Sequence, residues 1–215
     1  MVSLRDRSVA ALILCGACLF ACNQVLAQEV PRFRLTDLGL PADGTVPKAY
    51  AINAKGQIAG EFLYKFGDPL QSYHAFLWLP KADYGLAAGM HDLTDLAGLT
   101  AVGKNGVAFD INDDGIVVGR QDTATLSGVA FLWDLAEYPN DWAYDLGSLF
   151  EQGSDERAEL NEGGTAYGIN NASPAVIVGV TGNPPLGFQI TMPWLIQDRH
   201  QFMGLIVRRK WPSDG

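Results

Sequence analysis

The sequence predicts an all-β chain, a propeller-like array of about three four-stranded antiparallel sheets forming an open or incomplete propeller. Three observations predict it. One pattern occurs three times. It reads Ala49-Tyr50-Ala51-Ile52-Asn53, Gly56, Ile58-Ala59-Gly60 and Ala75-Phe76-Leu77-Trp78. It returns as Ala108-Phe109-Asp110-Ile111-Asn112, Gly115, Val117-Val118-Gly119 and Ala130-Phe131-Leu132-Trp133, and then as Ala166-Tyr167-Gly168-Ile169-Asn170, Ile177-Val178-Gly179 and a lone Trp194. Next, Asn53 to Gly56 and Asn112 to Gly115 have the chemistry of a type I turn closing into a glycine bulge between paired strands. Finally, the copies stand 59 and 58 residues apart from Asn to Asn, and a fixed period of this order with about four short strands is how a propeller blade looks from sequence.

In chain order, the alternation of Arg32 to Leu38 predicts a half-buried strand. Its Asp37-Leu38 close recurs as Asp92-Leu93 and Asp145-Leu146. Gly39 to Pro47 reads as a turn-rich connection. Strands are expected at Tyr50 to Asn53, Gln57 to Leu63, Tyr73 to Leu79 and Met90 to Leu96, with loops at 64–71, 80–89, 134–141 and 151–164. Placing each Asp-Leu strand ahead of the hairpin and Trp strand that follow gives sheets at about 32–79, 90–133 and 142–196. They form one domain over 28–208, with 209–215 as a tail. Gln201 to Arg208 then opens a fourth sheet that never arrives. That leaves an apolar terminal face around Trp194, Phe202 and Ile206, which implies self-association, completion by a partner or a shortened gene product.

Composition excludes several classes. With 215 residues, 48% apolar and 18% charged, the chain can build a core. A net charge of −9 removes the basic footprint that nucleic-acid binding needs. Arg5 and Arg7, the apolar run Val9 to Phe20, and Val25-Leu26-Ala27 read as a secretory signal over 1–27, so the mature protein is expected to be secreted or periplasmic. The apolar run is shorter than the about 20 residues of a membrane span. Leu19-Phe20-Ala21-Cys22 supports an alternative, a lipoprotein anchored at Cys22, and only that route implies a membrane. Cys15, Cys18 and Cys22 all lie in or beside the signal, which leaves the mature domain without disulfides or thiolate chemistry.

The string from Ala49 to Gly60, with His74-Ala75-Phe76-Leu77-Trp78 and the Asp-Leu-Gly close, resembles the bacterial extracellular HAF repeat family, named for its His-Ala-Phe motif. The resemblance covers about residues 32–196, and the second copy has Val129 at the His position. It implies an exported, propeller-like, all-β repeat protein and carries no catalytic residue with it.

The candidate sites are sparse. Asp110, Asn112 and Asp114, with Gly115, match the first half of a calcium loop, but Val118 and Gln121 stand where the second half needs ligands, and turn chemistry already explains Asn112 and Gly115. His74, His91 and His200 have no metal-ligand spacing, and His74 is expected to hydrogen-bond a neighbouring loop. Ser72, Ser127 and Ser148 lack the nucleophile-elbow motif. Trp78, Trp133 and Trp194 are expected to pack between sheets. Asp37, Asp92 and Asp145 are expected to cap strand ends; the alternative is a ring of pore-facing carboxylates. No catalytic residue, cofactor or resident metal is therefore assigned. The motif residues Asn53, Gly56, Gly60, His74, Trp78, Asn112, Gly115, Gly119, Trp133, Asn170, Gly179 and Trp194 are assigned to structure. The function expected is a non-catalytic exported module binding an unknown protein or glycan. The alternatives are a glycan- or polymer-active hydrolase using the three aspartates, and a truncated repeat protein without independent function.

Overall fold

The computed structural model describes residues 33–99, 105–123, 126, 128–140, 142–149, 163–181, 187–191 and 205–206. The expected signal, the acidic segment 151–162, Trp194, His200, Phe202 and the tail lie outside them. The chain divides into two units, Met1–Asp37 and Leu38–Gly215. Of the first, residues 33–37 are described, and they carry no strand. This corrects the expectation for Arg32 to Leu38. Phe33 and Leu35 are almost fully exposed, and alternation specifies a strand only where one face has something to pack on.

The second unit is all-β. Its first sheet comprises β1 (Gly44–Ile52), β2 (Ile58–Tyr64), β3 (Ser72–Leu79) and β4 (Gly89–Asp92). The second comprises β5 (Gly106–Ile111), β6 (Ile116–Gln121), β7 (Val129–Asp134) and β8 (Ala143–Asp145). The third comprises β9 (Gly164–Ile169), β10 (Val176–Thr181), β11 (Gly187–Thr191) and β12 (Leu205–Ile206). Each sheet is antiparallel, runs in sequence order and stays open, which makes the array propeller-like.

Three boundaries differ from expectation. β1 begins at Gly44, inside the stretch expected to be a connection. β4 stops at Asp92, because the Asp92 carboxylate accepts the Asp95 N–H at 2.9 Å and so starts the short helix α1 (Leu93–Leu96). The third difference is one of phase. The Asp-Leu strand closes a sheet and does not open one, since β4 and β8 pair with the Trp strands before them, Phe76 opposite Asp92 and Phe131 opposite Asp145. A short connection favours the antiparallel neighbour just left. By the same rule Leu205–Ile206 is the closing strand of the third sheet, with Ile206 opposite Ile190, and not the opening strand of a fourth.

The sheets pack face to face through alternate residues. Ala59, Ala75, Leu77 and Leu79 of the first sheet bury against Val117, Phe131 and Trp133 of the second. On its other face the second presents Ile116, Val118, Ala130 and Leu132 to Ile177, Phe188 and Ile190 of the third. Each Leu, Val, Ile or Phe fully buried this way contributes about 1.5–3 kcal/mol. Trp133 is wholly enclosed, and its indole Nε1 is the one buried side-chain nitrogen or oxygen among the described residues without a hydrogen-bond partner. Trp78 has the same register in the first sheet, on the face turned away from the second, and is half-buried. In the third sheet that register falls on Ile190, opposite Ile177, as Trp78 lies opposite Ile58. Gln189 likewise stands where the first two sheets carry Leu77 and Leu132. At that position the third sheet therefore carries a polar residue, opposite the 45% exposed Val178, where its neighbours bury leucine.

Candidate functional site

The motif is best understood from the turn end of the hairpins. In each copy the Asn Oδ1 accepts a backbone N–H beyond the turn: Gln57 N at 3.0 Å, Ile116 N at 2.9 Å and Val176 N at 2.8 Å. The Nδ2 group serves a second purpose. Asn53 Nδ2 donates to the Asn112 carbonyl at 2.9 Å, and Asn112 Nδ2 donates to the Asn170 carbonyl at 3.3 Å. A parallel ladder runs beside it, with Ala54 N donating to Asp113 Oδ1 at 2.8 Å and Asp113 N to Asn171 Oδ1 at 2.7 Å. The asparagines thus close their own turns and lace the three sheets together. Gly56 and Gly115 sit at φ 75° and 88°, the left-handed region their turns require.

Three residues before each turn Asn, the same motif builds a bulge. Pairing slips between Ala49 and Ala51, between Ala108 and Asp110, and opposite the step from Val178 to Gly179, where Tyr167 is left over. The extra residue is aromatic each time: Tyr50, Phe109 and Tyr167. A bulged residue leaves the ladder and its side chain is re-aimed. The bulge also explains the motif glycines. A Cβ on Gly60, Gly119 or Gly179 would fall on the carbonyl oxygen of Lys48, Val107 or Thr165, the residue two positions before the bulged aromatic. Phe76 and Phe188 lie over two of these glycines.

The consequence is a row of aromatic rings along the inner edge. Tyr50 lies 5.5 Å from Phe109, and Phe109 lies 5.3 Å from Tyr167, with the rings tilted. Tyr50 and Tyr167 remain 45% and 53% exposed, which is unusual for rings that could have turned into the core. Beside the row, Lys48 Nζ and the Tyr50 hydroxyl both donate to Glu61 Oε1, at 2.7 and 2.8 Å. The Glu61 carboxylate, by hydrogen bond and charge, holds the Lys48 ammonium above its ordinary value of 10.5. Partial burial of the phenol, then Glu61, holds Tyr50 above 10.0. Lys48 also reaches the Tyr73 ring, 5.5 Å from its centroid. The row is therefore flanked by a charge pair of zero net charge.

His74 lies on another face. Its Nδ1 contacts Asp92 Oδ2 at 2.6 Å and its Nε2 contacts Ser72 Oγ at 3.1 Å. With Asp92 accepting from Nδ1–H, Nε2 accepts from the serine hydroxyl. Ser–His–Asp is the order of a nucleophile relay, and sequence reasoning missed it because Ser72 and His74 flank one residue on β3 while Asp92 arrives on β4. Ser72 and His74 are 5% and 3% exposed. Tyr64 stacks on the imidazole at 4.4 Å and Phe62 meets it edge-on at 5.6 Å. The three side chains clip β3 to β4.

Of the calcium candidates, Asp110 and Asn112 have structural partners. Asp110 Oδ1 accepts Ile111 N at 2.9 Å and Oδ2 accepts Ile169 N at 2.8 Å, while both ends of the Asn112 amide are used as above. Among the described residues no group of three His, Cys, Asp or Glu could hold a metal ion. His91 Nε2 donates to the Ala87 carbonyl at 2.7 Å. Asp92 and Asp145 stand on fourth strands, the sheet edge remote from the aromatic row. No family model, curated protein or solved structure matches the chain.

Proposed function

We propose that this is an exported, non-catalytic β-repeat protein that works as a binding or interaction module, with its ligand held along the aromatic row. The observation that carries the reading is the repeated bulge. Three copies of the motif each give up one ladder position and one side chain, at Gly60, Gly119 and Gly179, to turn an aromatic outward. A core needs none of that, whereas a surface for partners does. The HAF resemblance and the expected signal over 1–27 support export. The test is to probe glycan and protein arrays with the purified full chain and with a Tyr50→Ala/Tyr167→Ala variant. A discrete ligand set, lost in the variant, is expected. Equal capture by both proteins, or a measured turnover on a captured ligand, would overturn the reading.

A further inference from the structure

We propose that the ligand of the aromatic row is a neutral polysaccharide, one pyranose ring facing each of Tyr167, Phe109 and Tyr50 in turn; this rests on the binding reading above. Spacing is the first ground. The ring centroids advance by 5.3 and 5.5 Å, close to the advance of one sugar unit in an equatorially linked pyranose chain. An extended peptide offers side chains to one face only every second residue, about 6.6 Å apart, and falls out of step within three rings.

Charge is the second ground. The cation beside Tyr50, Lys48, pairs with Glu61 at 2.7 Å, and the chain carries −9 overall. Single-stranded nucleic acid also stacks on aromatic rows, but it needs a positive groove for its phosphates, and an acidic polysaccharide needs the same. The third ground is hydrogen bonding. Lys48 uses one of its three donors on Glu61 and its side chain is half exposed, so it can donate to sugar hydroxyls at the Tyr50 end. The apolar C–H face of a pyranose on a ring, with hydroxyls meeting a polar flank, matches that arrangement.

The experiment is affinity electrophoresis of the full chain in gels containing hydroxyethylcellulose, mixed-linkage β-glucan, xylan, galactomannan or dextran, followed by calorimetry with oligosaccharides of the retarding polymer. Retardation by at least one equatorially linked polymer is expected, with affinity rising from one sugar unit to three and unchanged in molar salt. Tyr50→Ala and Tyr167→Ala should each weaken binding about five- to tenfold. Circular dichroism and the urea midpoint of each alanine variant separate loss of the platform from loss of fold. No retardation in any of the five gels, or retardation that survives the double alanine variant, overturns the proposal. If the arrays capture only peptides or proteins, with loss in the double variant, the binding reading stands and the glycan proposal falls. If they capture nothing, both fall.

Discussion

Replacing Asn112 by alanine should show how much the ladder between sheets contributes. Asn112 is 1% exposed and makes two side-chain bonds, from Ile116 N at 2.9 Å and to the Asn170 carbonyl at 3.3 Å. In Asn112→Ala the buried Ile116 N–H loses its acceptor, a loss of about 1–3 kcal/mol, and the bond to Asn170 adds about 0.5–1.5 kcal/mol. The expected loss is therefore about 1.5–4.5 kcal/mol, on the order of 10 °C in Tm for a chain of this size. Asn170→Ala is the control. Its Oδ1 partners, Ala172 N and Val176 N, lie in an exposed turn where water can replace them, so a loss below about 1 kcal/mol is expected. Asn112→Asp separates the two parts, keeping an acceptor for Ile116 N while setting a carboxylate oxygen against the Asn170 carbonyl. Urea unfolding followed by intrinsic tryptophan fluorescence measures all three. If Asn112→Ala costs no more than Asn170→Ala, the asparagine is only a turn residue and the ladder contributes nothing.

Other outcomes follow from the same geometry. Gly119→Ala drives a Cβ into the Val107 carbonyl oxygen, a backbone atom that cannot give way, and should cost at least about 3 kcal/mol. Gly187→Ala meets nothing closer than 4.0 Å and should stay within about 1 kcal/mol; equal midpoints for the two would refute the account of the bulge. His74→Ala should speed amide exchange in Gly89–Asp92 and leave ligand capture unchanged, since the clip joins β3 to β4 away from the row; lost capture would put His74 in the binding surface. Lys48 and Tyr50 both have raised values in the folded chain. Their contribution is thus fully present below the ordinary values of 10.0 and 10.5 and is lost as pH rises through the folded ones. The alkaline fall in the urea midpoint should be shallower in Lys48→Met/Tyr50→Phe, and an unchanged fall would refute the coupling. Ile52 is 67% exposed opposite Ile58 on the outward face of the first sheet, so association seen by sedimentation should disappear in Ile52→Lys; a wild-type chain monomeric at every concentration refutes self-association there.

Much of the fold was written locally. The recurrence of Asn with a glycine in the turn, and of Ala-Phe-Leu-Trp after it, gave the hairpin turns and the second and third strands to within a residue or two, because turn chemistry and short apolar runs act over a few neighbours, whereas the start of β1 at Gly44 was not visible. Trp133 of the second copy packs between sheets as expected, whereas Trp78 lies half-buried on the outward face of the first sheet. The phase of the sheets was not local. Whether an Asp-Leu strand opens one sheet or closes another depends on which strand it meets, and only Phe76 opposite Asp92 decides that. For the same reason the third Trp position was sought at Trp194, since nothing in Gly187 to Thr191 resembles Ala75 to Leu79 until β10 sets Ile190 opposite Ile177.

The division between what the chain carries in itself and what folding adds is plainest in the motif. By itself the sequence determined that the chain is all-β, that its first two hairpin turns pair Asn with Gly, and that one aromatic, one Asn and one Gly belong together in each copy. Only the tertiary structure decided why. The glycine is small because a carbonyl on the next strand occupies its Cβ space, the Asn reaches a carbonyl 59 residues away, and three aromatics that never approach one another in sequence stand in a row. Local pattern records the conformation each residue adopts. Contacts between strands and between sheets set what that conformation is for, and those depend on pairing partners that no short window contains.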